Sequence, residues 1–222
     1  PETVQDLSAA IAITAGADHT CALLQDATVR CWGYNAYGQV GGGESKANQP
    51  RPVRVANLSS VISVDAGANH TCALVSDGAV HCWGVNDSGQ LGNGSFVGGP
   101  TPVKVAGIQG AIAVSAGGYH SCAVLSDGTV RCWGLGGGTG SALGEGEGVA
   151  LKPCATSGSP LDCTSVPVPV AGLTGSLRIT AGNGHTCALL HDESVSCWGL
   201  NSHGQLGNNS NKNTKAPAPV GS

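Results

Sequence analysis

The side chains with the richest chemistry in this 222-residue chain are ten cysteines and seven histidines. The cysteines fall into five local couples: Cys21/Cys31, Cys72/Cys82, Cys122/Cys132, Cys187/Cys197 and Cys154/Cys163. Two chemistries suit paired thiols. Zinc sites favour two to four residues between the members of a pair, whereas nine residues separate four of these couples and eight the fifth. An even count in fixed local couples reads instead as a disulfide framework made in an oxidising place. Four histidines, His19, His70, His120 and His185, each stand two residues before a cysteine. A cluster of imidazoles would bind metal. A histidine repeated with its surroundings reads instead as a turn-shaping residue bonded to backbone in its own unit, and that reading assigns no metal here. His81, His191 and His203 share no common position, and the first two fall beside turns where solvent is expected.

Catalytic patterns are missing. There is no G-x-S-x-G elbow, no H-E-x-x-H and no G-x-x-x-x-G-K phosphate loop. Glu145 and Glu147 are close in sequence but lie on a Gly-rich stretch ill suited to hold catalytic geometry. Asp26, Asp77, Asp127 and Asp192 occupy turn positions. No catalytic residue and no cofactor are assigned, and a non-enzymatic protein is expected.

The thiols need elements that bring them together. Around the second couple, His70–Val75 and Ala79–Trp83 read as strands joined by Ser76-Asp77-Gly78. A three-residue hairpin loop puts Gly at its last, left-handed position. That loop sets Val75 against Ala79, Leu74 against Val80 and Cys72 against Cys82, so the two sulfurs face each other. The same arithmetic pairs Cys21 with Cys31, Cys122 with Cys132 and Cys187 with Cys197. Val61–Val64 and Pro102–Val105 supply strands on either side of the hairpin.

This unit is written four times, with the third interval longer by an insert closed by Cys154/Cys163. Four short antiparallel strands per copy, repeated around an axis, make a β-propeller. The 36 glycines and the short Val/Ile/Leu runs agree with an all-β chain. The units are cut at 1–51, 52–101, 102–166 and 167–216, with 217–222 opening a fifth as its first strand. Because the Pro-x-x-Val strand also occurs at Pro1–Val4, one such strand is left over, and a free edge is a template for another strand. The array is expected to be part of a larger ring or an arc completed by another chain. Trp32, Trp83, Trp133 and Trp198 directly follow the second cysteine of each hairpin and are expected to pack between neighbouring units.

The motifs Gly-x-x-His-Thr-Cys-Ala-Leu, Asp-Gly, Cys-Trp-Gly-x-Asn and Gly-Gln-Leu-Gly, in that order, resemble the repeat of the regulator of chromosome condensation family along essentially the whole chain. The resemblance implies a propeller, seven-bladed in complete members. The cysteine couple departs from the eukaryotic pattern and resembles the variant in secreted bacterial members.

Formal net charge is −4 and no basic run occurs, which argues against nucleic acid as a partner. No run of 18 apolar residues is present to span a membrane as a helix. Function in an array lies where copies differ. Tyr34, Tyr37, Phe96, Tyr119 and His203 are not dictated by the repeat and are the candidate binding residues. The expectation is a secreted or surface-exposed scaffold, extracellular or periplasmic, that binds a protein or glycan through its loops. One alternative is a structural protomer joined to copies of itself by strand addition at the free edge. The other, nucleotide exchange on a small GTPase, fits poorly with the acidic charge and the cysteines.

Overall fold

The structure, a computed structural model, describes residues 3–137, 141–146, 151–154 and 162–221. The first blade consists of β1 (Ala10–Ala15), β2 (His19–Leu24), β3 (Val29–Gly33) and β4 (Gln49–Arg54). The second contains β5 (Val61–Ala66), β6 (His70–Val75), β7 (Val80–Gly84) and β8 (Gly99–Lys104). In the third, β9 (Ala111–Ala116), β10 (His120–Leu125) and β11 (Val130–Leu135) are followed by the short β12 (Lys152–Pro153) and by β13 (Asp162–Pro169). The fourth is β14 (Ser176–Ala181), β15 (His185–Leu190), β16 (Val195–Gly199) and β17 (Thr214–Pro219). Each sheet is antiparallel with strands in chain order; the insert adds β12 as an outer fifth strand of the third sheet.

The hairpin register is as expected. Leu74 pairs with Val80, and Cys72 with Cys82. All five disulfides form; the four within hairpins have Cα–Cα distances of 4.1 Å and the Cys154–Cys163 bridge has 5.1 Å. At the turn, Gly78 and Gly128 have φ of 80° and 78°. The first and fourth copies place Ala27 and Glu193 at the same left-handed position, with φ of 60° and 67°.

One expectation is corrected here. Thr214–Pro219 pairs with β16 and is the outer strand of the fourth blade, so residues 217–222 do not open a fifth unit. Thr3 and Val4 lie in no strand, and Pro1 and Glu2 fall outside the described residues. The first, second and fourth blades use their Pro-containing strand as the sheet edge, and in the third only Asp162 and Cys163 of β13 pair outward with β12, away from Pro167 and Pro169; at an edge the missing N–H of proline costs no ladder bond.

The blades stack side by side into an open arc. Inner strands β1, β5, β9 and β14 contact one another along the axis. Three hydrophobic cores lie between the four blades, each joining the disulfide side of one blade to the inner strand and Trp of the next. Because strands alternate in direction, the loops after the first and third strand of every blade emerge on one face. The hairpin turns and the blade-to-blade links emerge on the other.

Candidate functional site

At each joint the same polar residues recur. Trp83 Nε1 donates to the Gln39 carbonyl at 2.8 Å, Trp133 Nε1 to that of Gln90 at 2.9 Å, and Trp198 Nε1 to that of Ala142 at 2.9 Å. The same three carbonyls accept from Thr71, Ser121 and Thr186 hydroxyls. Each of those hydroxyls in turn meets the Nε2 of the repeat histidine one blade back: His19 with Thr71 at 2.8 Å, His70 with Ser121 at 2.9 Å, His120 with Thr186 at 2.9 Å. The hydroxyl's only proton is committed to the carbonyl, so Nε2 must carry the hydrogen and donate. The imidazole is then neutral with a bare Nδ1, and for His19 and His70 that atom is buried without a partner.

Burial makes this neutral state strongly preferred. It lowers the pKa of His19 to about 4, against an opposing pull from Asp18. His70 falls to about 3, through burial and then the neighbouring His120 and His19. His120 falls to about 4, through burial and then His185. His19, His70 and His120 thus join adjacent blades, whereas the sequence reading had each repeat histidine bonding backbone in its own turn. No group of three or more His, Cys, Asp or Glu suited to a metal occurs among the described residues.

At the axis, the Asp65 carboxylate accepts from Thr14 on the first blade and Ser115 on the third, and from the amides of Ala66 and Ala116. One side chain thus ties three blades together. Glu145 is buried and accepts from the Ser141 hydroxyl; Glu147 lies outside the described residues. Asp26, Asp127 and Asp192 accept from the hydroxyl and amide two residues on, which lowers their pKa values and confirms them as turn formers. His81 departs from expectation: it is half-buried, and burial, followed by Lys104, lowers its pKa.

The five candidate binding residues all belong to loops of one face. Tyr34, Tyr37, Phe96 and His203 are in loops after third strands, and Tyr119 is in the loop after a first strand. Tyr34 and Tyr37 meet edge to face with centroids 6.1 Å apart. Tyr37 and Tyr119 are 43% and 46% exposed, Phe96 is half-buried and His203 exposed. The fold does not gather the five into one cluster, since they are spread over four blades. Sequence reasoning missed two apolar neighbours on this face, Val97 at 77% and Leu200 at 41% exposure. Leu200 lines a cavity of about 220 Å³ with Tyr119, Leu135 and Asn183 between the third and fourth blades. Neither residue type marks a contact by itself, and only the turn of the loop exposes it.

Asn35, Asn86 and Asn201 hold these loops from inside. Each amide donates to two loop carbonyls, and each side-chain oxygen accepts from the amide five residues on. Asn86 is fully buried, so its Asn-x-Ser sequon is unavailable for glycosylation in the folded chain. In the third copy Gly136 takes this place, and a Cβ there would meet Leu151 and the Asp162 carbonyl.

These features define a class: a repeat propeller of near-equivalent wedges, disulfide-stapled, with its variable residues on one loop face. The chain belongs to the regulator of chromosome condensation (RCC1) repeat family. One model of that repeat matches residues 26–74 and 77–124, and a second matches 10–39, 61–90 and 178–205. Among curated relatives, the human probable E3 ubiquitin-protein ligase HERC6 is 32% identical over 227 residues, covering 99% of this chain and 21% of that protein. Human E3 ubiquitin-protein ligase HERC2 is 28% identical over 213 residues, covering 94% and 4% respectively. The chain therefore spans a small part of these relatives. Among solved structures, human WBSCR16 superposes with a TM-score of 0.84 at 23% identity, over 100% of this chain and 55% of that one. Prp20p of Saccharomyces cerevisiae, a protein characterised for its binding to Gsp1p and histones, gives 0.82 at 21% identity over 99% and 52%. The ectodomain of the Physcomitrella patens receptor kinase CR4 gives 0.50 at 27% identity over 86% and 41%. The first two likenesses establish the fold. Five disulfides indicate an oxidising compartment, and no helix among the described residues is long and apolar enough to cross a membrane.

Proposed function

We propose that this chain is a non-enzymatic scaffold, extracellular, periplasmic or at the cell surface, that binds a protein partner through its loop face. The observation that carries the reading is topological. Alternating strand direction delivers Tyr34, Tyr37, Phe96, Tyr119 and His203 to the same face, together with exposed Val97 and Leu200. Half-exposed tyrosines on loops held by a rigid sheet are efficient contact anchors, because little side-chain entropy is lost when they bind. The opposite face carries turns closed by Asp26, Asp77, Asp127 and Asp192. The protein-binding record of Prp20p supports a protein over a glycan. The CR4 ectodomain and the disulfides support the setting outside the cytosol.

The test immobilises the chain and passes the secreted and surface-protein fraction of its host over it. A loop-face variant (Tyr37→Ser, Val97→Ser, Tyr119→Ser) is expected to lose the retained protein. A hairpin-face variant (Gln25→Ser, His191→Ser) is expected to keep it. Equal retention by both variants, or retention of free glycan and no protein, would overturn the reading.

A further inference from the structure

The joint between the third and fourth blades is built like the other two but lacks two side chains. Gln39, Gln90 and Ala142 stand at the same place, since the carbonyl of each accepts from the next blade's Trp indole. Gln39 is fully buried, and its side-chain amide crosses the first joint to the Asn69 side chain at 3.3 Å. Gln90 is fully buried at the second joint. At the third joint Ala142 has no such reach, and the residue that matches Asn69, one before the repeat histidine, is Gly184. Both halves of the pair are missing together, and a cavity of about 220 Å³ opens there with Ala142 and Gly184 in its wall. Its walls are the third and fourth blades themselves, which touch along β9, β10 and β14.

The chemistry of this cavity restricts what can fill it. Leu135, Leu200 and Tyr119 supply most of the remaining wall, and Tyr119, 46% exposed, places it on the loop face. No Asp, Glu, Lys or Arg lines it among the described residues. His120 also lines it and is neutral, its pKa lowered to about 4 by burial and then by His185. A charged occupant would lose its water and meet no counter-charge. A dry apolar cavity of about 150 Å³ already accepts benzene, so this one has room for a phenyl ring and the methylene that carries it. We propose that the cavity is the seat for a phenylalanine side chain of a protein partner. The proposal rests on the reading that the loop face binds protein, and it names the side chain that enters. The ring packs against Leu135 and Leu200, with Tyr119 placed for an aromatic contact. It fills at the third joint the space that Gln39 fills at the first. One aromatic anchor in a desolvated pocket then carries much of the binding, and the exposed loop residues around it form the rim.

Two measurements test the seat. In the first, N-acetyl-phenylalanine amide is titrated into the 222-residue chain carrying isotope-labelled leucine methyls. The Leu135 and Leu200 resonances are expected to shift and to saturate in roughly the millimolar range, where so small a ligand belongs. Leu74 and Leu91, buried at the other joints, should not move. Ala142→Gln restores the residue of the first two joints, and Ala142→Leu fills the space with apolar atoms. Each should weaken the probe by at least roughly tenfold, and a thermal melt reports that each is folded. In the second measurement both filled variants replace the wild-type chain in the retention experiment, and the retained protein is expected to be lost although every loop aromatic is intact. The seat is overturned if the probe moves neither leucine, if it binds the folded filled variants as well as the wild type, or if N-acetyl-leucine amide binds more tightly. Full retention of the partner by the filled variants overturns it too. None of these outcomes bears on the loop face as a protein-binding surface, which the Tyr37, Val97 and Tyr119 variant reads separately.

Discussion

The repeat histidines decide how this protein responds to acid. His19, His70 and His120 are neutral in the folded chain, with pKa values near 4, 3 and 4, and return to about 6.5 on unfolding. The unfolded chain therefore binds more protons below pH 6.5. Stability is full above that value and falls as pH drops towards 4, at up to about 4 kcal/mol per pH unit while all three sites differ. Urea midpoints taken at pH 7.5, 6, 5 and 4 should show the loss beginning well above the carboxylate range. An unchanged midpoint between pH 7.5 and 5 would mean that the imidazoles are not buried as described. A second residue-scale prediction concerns the hairpin turns. Ala27 and Glu193 stand at positive φ where the other two copies have Gly. Ala27→Gly and Glu193→Gly should each stabilise the chain by about 0.5–1 kcal/mol, since relief of the left-handed strain exceeds the added entropy of the unfolded glycine. Raised melting temperatures would show it.

At the scale of the element, the largest fully buried side chains, Trp83, Trp133 and Trp198, all sit at joints between blades. The same residue type stands in two environments. Trp83 is sealed between the first and second blades and donates to Gln39, whereas Trp32 is half-buried. Trp83→Ala should cost about 3–5 kcal/mol through a cavity and a carbonyl stripped of one donor. Trp32→Ala should cost much less, because little packing is lost. Chemical denaturation of the two variants side by side measures the difference, and equal losses would refute the joint as the seat of stability. Here the sequence was partly legible. Hairpin register, disulfide pairing and the interblade role of Trp all follow from local spacing. The partner of His19, by contrast, is Thr71 on the next blade, and no local pattern specifies a contact across that distance in the chain.

Over the whole molecule, stability in such an array is a sum of blade terms and nearest-neighbour joints. The second and third blades have two joints each and the first and fourth have one. Amide hydrogen exchange on the 222-residue chain should therefore run slowest in β6 and β10 and faster in β2 and β15, even though the sequences of these strands are nearly the same. Uniform protection across the four would show that the arc unfolds as one unit without weaker ends. The loop face is a property of this scale too. Tyr37, Val97 and Tyr119 lie far apart in sequence and share a face only because strand direction alternates in every blade.

Composition, the repeat and the spacing of cysteines across three-residue turns determined the blade, its register and its staples, because each depends on contacts between residues close in the chain. Only the tertiary structure decided that the Pro-containing strand at residues 214–219 closes the fourth blade and opens no fifth. It alone paired His19, His70 and His120 each with a hydroxyl on the following wedge. Those outcomes depend on how one sheet lies against another, and repeated units that read alike in sequence differ only in whether a neighbour covers them.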